Sequence, residues 1–196
     1  MIAQTKTIIL ASKSPRRQQL LQELNVQYEI RGKDIEEIYP PHLKGVEVPI
    51  FLSQLKANVF KDELKDNEVI ITSDTIVWFN DEILGKPENR EDAIKMLQKL
   101  SGNMHRVVTA VTLQETHRST TFHEVTEVYF NKLSDSEITF YVDNFEPLDK
   151  AGSYGIQEWI GYIGIEKING CFYNVMGLPL FRLNQYLKKL GIIEVR

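Results

Sequence analysis

Residues 68–79 read EVIITSDTIVWF, an apolar and largely β-branched run interrupted at its centre by Thr72-Ser73-Asp74-Thr75. A run of this kind is satisfied as a buried strand, and a carboxylate set inside one is costly unless it is paired, hydrogen-bonded or bound to a metal. Asp74 is therefore the residue whose presence most constrains the chain. As a general base or Mg²⁺ ligand it would activate or orient water, with Lys56 and Lys86 to neutralise phosphates and Glu36 and Glu37 as further acidic groups. The plainer alternatives are a turn aspartate between two strands and, for Glu36 and Glu37, ordinary solvated loop residues.

A second constellation lies near the start. Thr7-Ile8-Ile9-Leu10-Ala11 reads as a buried strand, and Ser14-Pro15 opens a helix with Ser14 at the N-cap, Pro15 at the first helical position and a stripe of Leu20, Leu21 and Leu24. Between them, Ser12-Lys13-Ser14-Pro15-Arg16-Arg17 brings hydroxyls and cations to a helix start, where free N–H groups favour an anion. Phosphate binding and a capped surface helix with solvated arginines both fit. The Walker glycine pattern is missing, which argues against a P-loop NTPase.

The remaining segments predict a strand over 26–31, a loop over 32–49 and a helix over 50–64 whose apolar face includes Leu52, Leu55, Val59 and Phe60. After the strand 68–79 come a turn at Asn80-Asp81, a break at Gly85-Lys86-Pro87 and a helix from Asn89 through Leu100. Two long strands, 105–114 and 121–130, follow as a ribbon, then a helix opened by the capping box Ser134/Glu137. A loop over 146–155, a short β segment around 162–167, a turn at Asn169-Gly170 and a last helix from Pro179 to Leu190 complete the chain. Strands alternating with helices, plus an antiparallel ribbon, imply an α/β fold with a mixed sheet. With 196 residues and no repeat or linker, one domain over 1–196 is expected. In the loop EPLDKAGSYGIQ, Gln157 has a donor and an acceptor that suit a base edge, though a plain connector fits as well.

Charge and cysteine usage remove other classes. Twenty-three Lys and Arg against 27 Asp and Glu give net −4, which disfavours a general attraction to nucleic acid. Four histidines at 42, 105, 117 and 123 lack zinc spacing, and a single cysteine, Cys171, precludes an internal disulfide. His105 reads as a strand residue near the core and Cys171 as a small packing residue. Apolar runs too short for a signal peptide or a membrane span make the cytoplasm the expected compartment and exclude a membrane partner.

Taken in order, ILASKSPRRQQLL, SDTIVWFNDEILGKP, LSGNMHRVVTAVTL, EPLDKAGSYGIQ and INGCFYNVMGLPL resemble the Maf (septum-formation) family of nucleoside triphosphate pyrophosphatases, over residues 8 to 180. The resemblance implies a Maf/ITPase-like architecture: a mixed, elongated, twisted sheet flanked by helices, with two lobes around a central cleft. It also implies hydrolysis of a nucleoside triphosphate to monophosphate and pyrophosphate with a divalent cation, Mg²⁺ or Mn²⁺. Carried over residue by residue, it makes Asp74, Lys86 and Lys56 catalytic. Ser12, Ser14, Arg16, Arg17, Thr75 and Gln157 become substrate-binding, and Glu37 and Asp74 metal-binding. Arg16 and Gln157 resemble the dTTP/UTP branch; the alternatives are 7-methyl-GTP or another non-standard nucleotide as substrate, and a nucleotide-binding regulator of cell division with little catalysis. A homodimer is a family-level expectation. One departure stands out: Glu158-Trp159-Ile160-Gly161 is bulkier than the family's Gly-rich turn and bears on the base pocket.

Overall fold

The computed structural model describes residues 2–195. The chain begins β1 (Ile2–Gln4), β2 (Thr7–Leu10), α1 (Pro15–Glu23), β3 (Tyr28–Ile30), α2 (Glu47–Asn58), β4 (Glu68–Phe79), β5 (Glu82–Leu84) and α3 (Arg90–Leu100). It continues β6 (Met104–Gln114), β7 (Ser119–Phe130), α4 (Asp135–Phe145), α5 (Trp159–Gly164), β8 (Ile165–Asn169), α6 (Phe172–Val175), α7 (Leu180–Lys189) and β9 (Ile193–Val195). The larger sheet has the order β3-β2-β4-β6-β7-β8, with β5 also on β4, and β1 pairs with β9 in a second, two-stranded sheet. The α/β expectation holds, and the larger sheet is mixed: β2 is parallel to β3 and β4, while β4/β5 and β7/β8 are antiparallel.

Two compact units divide the chain: Met1–Asp74, Thr109–Glu124 and Gly177–Arg196 make the first, Thr75–Val108 and Val125–Met176 the second. In the first unit, Ile9, Phe60, Leu64 and Ile70 form an apolar cluster under β2 and β4, with Ala11 against it. Residues flanked on both faces lose the hydrophobic–polar alternation of a half-exposed strand, which is why Ile8, Ile9, Leu10 and Val69, Ile70, Ile71 are continuous apolar runs, all fully buried. In the second unit, Leu97 and Leu100 of α3 and Ile138, Tyr141 and Val142 of α4 pack with Val77, Val107, Val128 and Phe130. Each such side chain contributes about 1.5–3 kcal/mol by leaving water.

Local signals fix several boundaries. Asn89 accepts the Asp92 N–H at the start of α3, and Ser134 and Glu137 form the complete capping box of α4. Asn80 and Asp81 both lie at positive φ in the tight turn between β4 and β5. Ser14 caps α1 by its backbone position only, without a side-chain hydrogen bond.

Four expectations are corrected. The strand 26–31 is trimmed to Tyr28–Ile30. The loop 32–49 ends earlier because α2 starts at Glu47 and takes Pro49 into its first turn, where a missing N–H costs nothing. Val59 is exposed, since α2 stops at Asn58 and the chain turns before Phe60 is buried. The segment around 162–167 is half helix: α5 occupies Trp159–Gly164 and only Ile165–Asn169 is strand. Burial of Ile160 and the fit of Gly164 against Leu133 and Phe130 override the β propensity of the sequence there. Among the described residues no helix is long and apolar enough to cross a membrane.

Candidate active site

The first unit gathers most of the charged candidates. Because β2 and β4 are parallel and adjacent, with Leu10 opposite Ile71 and the Ala11 N–H donating to the Ile71 carbonyl at 2.9 Å, the turn after β2 and the polar block of β4 come to the same end of the sheet. The crevice beyond the C-terminal ends of parallel strands is where α/β sheets place ligands. The Ser12 hydroxyl accepts the Ser14 N–H at 3.2 Å, shaping the turn into α1. From the first turn of α1, Arg17 donates to the carbonyls of Gly177 at 2.9 Å and Ser73 at 3.0 Å, so its guanidinium is fastened beside the residue preceding Asp74. Arg16, half-buried, precedes it in the same turn.

Strand alternation puts Thr72 and Asp74 on one face, and α2 supplies a partner for each from positions three apart. Thr72 Oγ1 donates to the Ser53 carbonyl at 2.7 Å, and Lys56 Nζ donates to Asp74 Oδ1 at 2.6 Å. Lys56 also meets Glu37 at 2.9 Å, which makes one ammonium common to a buried carboxylate and a half-exposed one (8% and 49% exposed). Asp74 is thus a mid-strand residue, not a turn aspartate, and Glu37 is more than a solvated loop acid. Burial pushes the Asp74 carboxyl above its ordinary range; Lys56 and Arg17 oppose the rise and Glu37 adds to it. Burial lowers the Arg17 guanidinium, with Asp74 pulling it back up.

The two carboxylates at Lys56 are hard oxygen donors, and no group of three or more His, Cys, Asp or Glu suited to a metal occurs among the described residues. That set fits Mg²⁺ or Mn²⁺ held by one or two protein carboxylates together with phosphate oxygens and water, and does not fit an all-protein cage.

The second unit holds Thr75, Lys86 and Gln157. Lys86 is exposed between β5 and α3, and the Gly152 N–H donates to the Gly85 carbonyl at 3.0 Å, tying the Gly85-Lys86 strip to the segment that leads to Gln157. Gly152 sits at φ +68° with Val77 against the place a Cβ would take, so glycine is required at that junction. Gln157 lies in a turn closed by the Glu158 N–H donating to the Gly155 carbonyl at 3.0 Å, and its main-chain carbonyl accepts from Tyr162. Gln157 Oε1 is buried without a hydrogen-bond partner among the described residues, as is Ser73 Oγ. A buried acceptor left unmatched costs about 1–3 kcal/mol and points to a donor supplied from outside the chain.

Sequence reasoning missed the support under Gln157. Tyr141 of α4 and Glu158 show no local motif that would bring them together, and Lys150, which meets Glu158, pairs at 2.7 Å with its neighbour Asp149. His105 is buried as expected, its Nε2 2.7 Å from the Tyr154 hydroxyl, and burial holds its imidazole down at about 3.

Comparison with known proteins gives three findings. The family described as Maf-like protein matches residues 7–190. A protein of Flavobacterium johnsoniae named dTTP/UTP pyrophosphatase is 52% identical over 183 residues, covering 93% of this chain and 94% of that protein, and one of Bacteroides thetaiotaomicron with the same name is 50% identical over 184 residues, covering 93% and 95%. The solved structure of the Staphylococcus aureus Ham1 protein superimposes with a TM-score of 0.50 at 16% identity over 95% of this chain and 100% of that one, a likeness of fold.

Proposed function

The chain belongs to the Maf-like protein family, and we propose that it is a nucleoside triphosphate pyrophosphatase that hydrolyses dTTP and UTP to the monophosphate and pyrophosphate. The observation that carries this reading is the gathering of Asp74, Lys56, Glu37 and Arg17 beside the Ser12–Ser14 turn, in a chain half identical to proteins named for that activity. The whole chain, 1–196, is taken as one catalytic domain.

The chemistry follows from the placement of charge. Pyrophosphate leaves as a dispersed anion, so most of the catalysis is positioning and neutralisation. Asp74, with its carboxyl pushed toward a more basic range by burial, takes the proton of the water that attacks the α-phosphorus. The bond from the α-phosphorus to the bridging oxygen breaks, and the electron pair departs with pyrophosphate. Lys56 orients the Asp74 carboxylate and shares its charge with Glu37. Ser12, Ser14, Arg16 and Arg17 bind the triphosphate, Lys86 adds a further cation for it, and Thr75 and Gln157 contact the nucleoside. Glu37 and Asp74 would hold a divalent cation, which supplies charge neutralisation at the phosphates when bound.

Base choice rests on Gln157. A uracil or thymine imide offers N3–H as the donor that Gln157 Oε1 lacks and a carbonyl for the amide N–H, whereas cytosine presents a bare N3. A polar site mismatched in this way discriminates on the order of 10⁴-fold. The proposed compartment is the cytoplasm, with a homodimer as the proposed assembly and neither nucleic acid nor membrane as partner. The test is pyrophosphate release from dTTP, UTP, CTP and 7-methyl-GTP with Mg²⁺ or Mn²⁺. Turnover of dTTP and UTP with poor turnover of CTP is expected; comparable turnover of CTP and UTP removes the assignment of Gln157, and no release from any pyrimidine triphosphate removes the function.

A further inference from the structure

We propose that Glu158, Tyr141 and Lys150 form a clasp that fixes the turn carrying Gln157 and thereby sets the base selectivity of the enzyme; the inference rests on the reading of Gln157 as the base-contacting residue. Gln157 occupies the third position of the turn Gly155-Ile156-Gln157-Glu158, whose ends are joined by the main-chain hydrogen bond from Glu158 to Gly155. A second link joins the same two ends through side chains. The Tyr141 hydroxyl, fully buried on α4, accepts the Gly155 N–H at 3.0 Å and donates to Glu158 Oε2.

The other oxygen of that carboxylate, Oε1, lies 3.2 Å from Lys150 Nζ, and the Lys150 side chain is only 9% exposed. The carboxylate rests directly on the backbone of Gly155: a Cβ there would stand 2.6 Å from Glu158 Cδ. Gly155 is not at positive φ, so its lack of a side chain serves this approach rather than an unusual backbone conformation.

A two-point tie of this kind restricts a turn far more than its main-chain bond alone, because buried hydrogen bonds to a charged group are stronger than neutral ones and an ammonium balances the charge. The amide of Gln157 can discriminate an imide from cytosine only if it is held in one orientation, since a flipped amide pairs as well with cytosine. Rigidity of the turn is therefore part of the selectivity. Glu158, Tyr141 and Lys150 are positioning residues in this sense; none of them needs to touch the nucleotide.

The experiment measures kcat and KM for UTP and CTP in the wild type and in Tyr141→Phe, Glu158→Gln, Gly155→Ala and Gln157→Ala, with thermal melting of each variant. The clasp variants are expected to lower the UTP-over-CTP ratio of kcat/KM by about tenfold, through a raised KM for UTP with kcat less affected. Glu158→Gln, which still accepts from Tyr141, is expected to lose less than Gly155→Ala, which displaces the carboxylate. A lowered ratio in Tyr141→Phe while the protein still melts cooperatively supports the clasp, since a merely structural loss would reduce both substrates together. If Gln157→Ala lowers the ratio and the clasp variants leave it unchanged, the clasp is overturned and the reading of Gln157 stands. If Gln157→Ala also leaves it unchanged, that reading falls and the clasp falls with it.

Discussion

Two lysines in this molecule each hold a pair of carboxylates, and the pairs are built for opposite ends. Lys56 joins buried Asp74 to half-exposed Glu37; Lys150 joins Glu158 to the exposed Asp149. At Lys150 the inner carboxylate, 21% exposed, accepts from Tyr141 and rests on the backbone of Gly155, so both of its oxygens are engaged within the protein. At Lys56 the inner carboxylate sits in a strand, is driven toward the neutral form by burial, and shares its lysine with a loop acid at the surface. A buried charge held under such tension is suited to act on water, metal or phosphate, whereas a charge with both oxygens engaged by neighbouring groups stabilises a loop. On the proposed function, the same residue types serve chemistry in one unit and shape in the other.

The comparison breaks first at Asp74. Asp74→Asn is expected to lower kcat by about 10³-fold or more, as for loss of a general base, while calorimetric binding of a non-hydrolysable dTTP analogue persists. Its melting temperature should equal or exceed the wild-type value, because a strained buried charge is removed. Wild-type turnover would take Asp74 out of the mechanism, and a large drop in melting temperature would make it a structural residue like Glu158. Glu158→Ala is expected to show the reverse, losing about 2–3 kcal/mol in denaturant unfolding because Lys150 is left without its inner partner.

A third buried titratable group sharpens the contrast, since His105 has no carboxylate at all. Its folded-state value of about 3 lies below the unfolded value of 6.5, so the unfolded chain binds the extra proton between those values. Stability is then intact above pH 6.5 and falls as pH drops toward 3, by about 2 kcal/mol at pH 5 from this group. His105→Gln should flatten that limb of the pH–stability curve; an unchanged slope would mean that His105 is charged in the fold. The smallest effect is expected at Ser53, whose hydroxyl bonds the Ile50 carbonyl at 2.9 Å and meets Thr112 Oγ1 at 3.0 Å. Ser53→Ala should cost about 1 kcal/mol in unfolding and leave the Asp74–Lys56 chemistry in place; abolished turnover would show that α2 tolerates no repacking.

Local patterns announced the frame of the molecule well. The continuous apolar runs of β2 and β4, the Asn89 cap and the Ser134/Glu137 box each act within a few residues, so their outcome can be read from order alone. Asp74 was conspicuous for the same reason, as a charge where the pattern demanded none. What escaped depends on distance along the chain. β1 and β9 are three residues each and exist only because they find one another across nearly the whole sequence. Tyr141 stands 17 residues from Glu158, a partnership that leaves no trace in spacing, whereas Lys56, 18 residues from Asp74, was grouped with it by charge though not as its direct ion-pair partner. The helix at 159–164 was hidden by β-favouring residues whose packing decided otherwise.

Gly161 carries a lesson for anyone wishing to reshape what the protein accepts. Any side chain there would collide with the main-chain oxygen of Ile156. Replacement of Gly161 would therefore disturb the fold, and change in this stretch is confined to neighbouring positions that can vary without moving that oxygen. New base preferences should arise by exchange at 157, on a loop of unchanged length, with buried Ile156 and Gly161 left as they are.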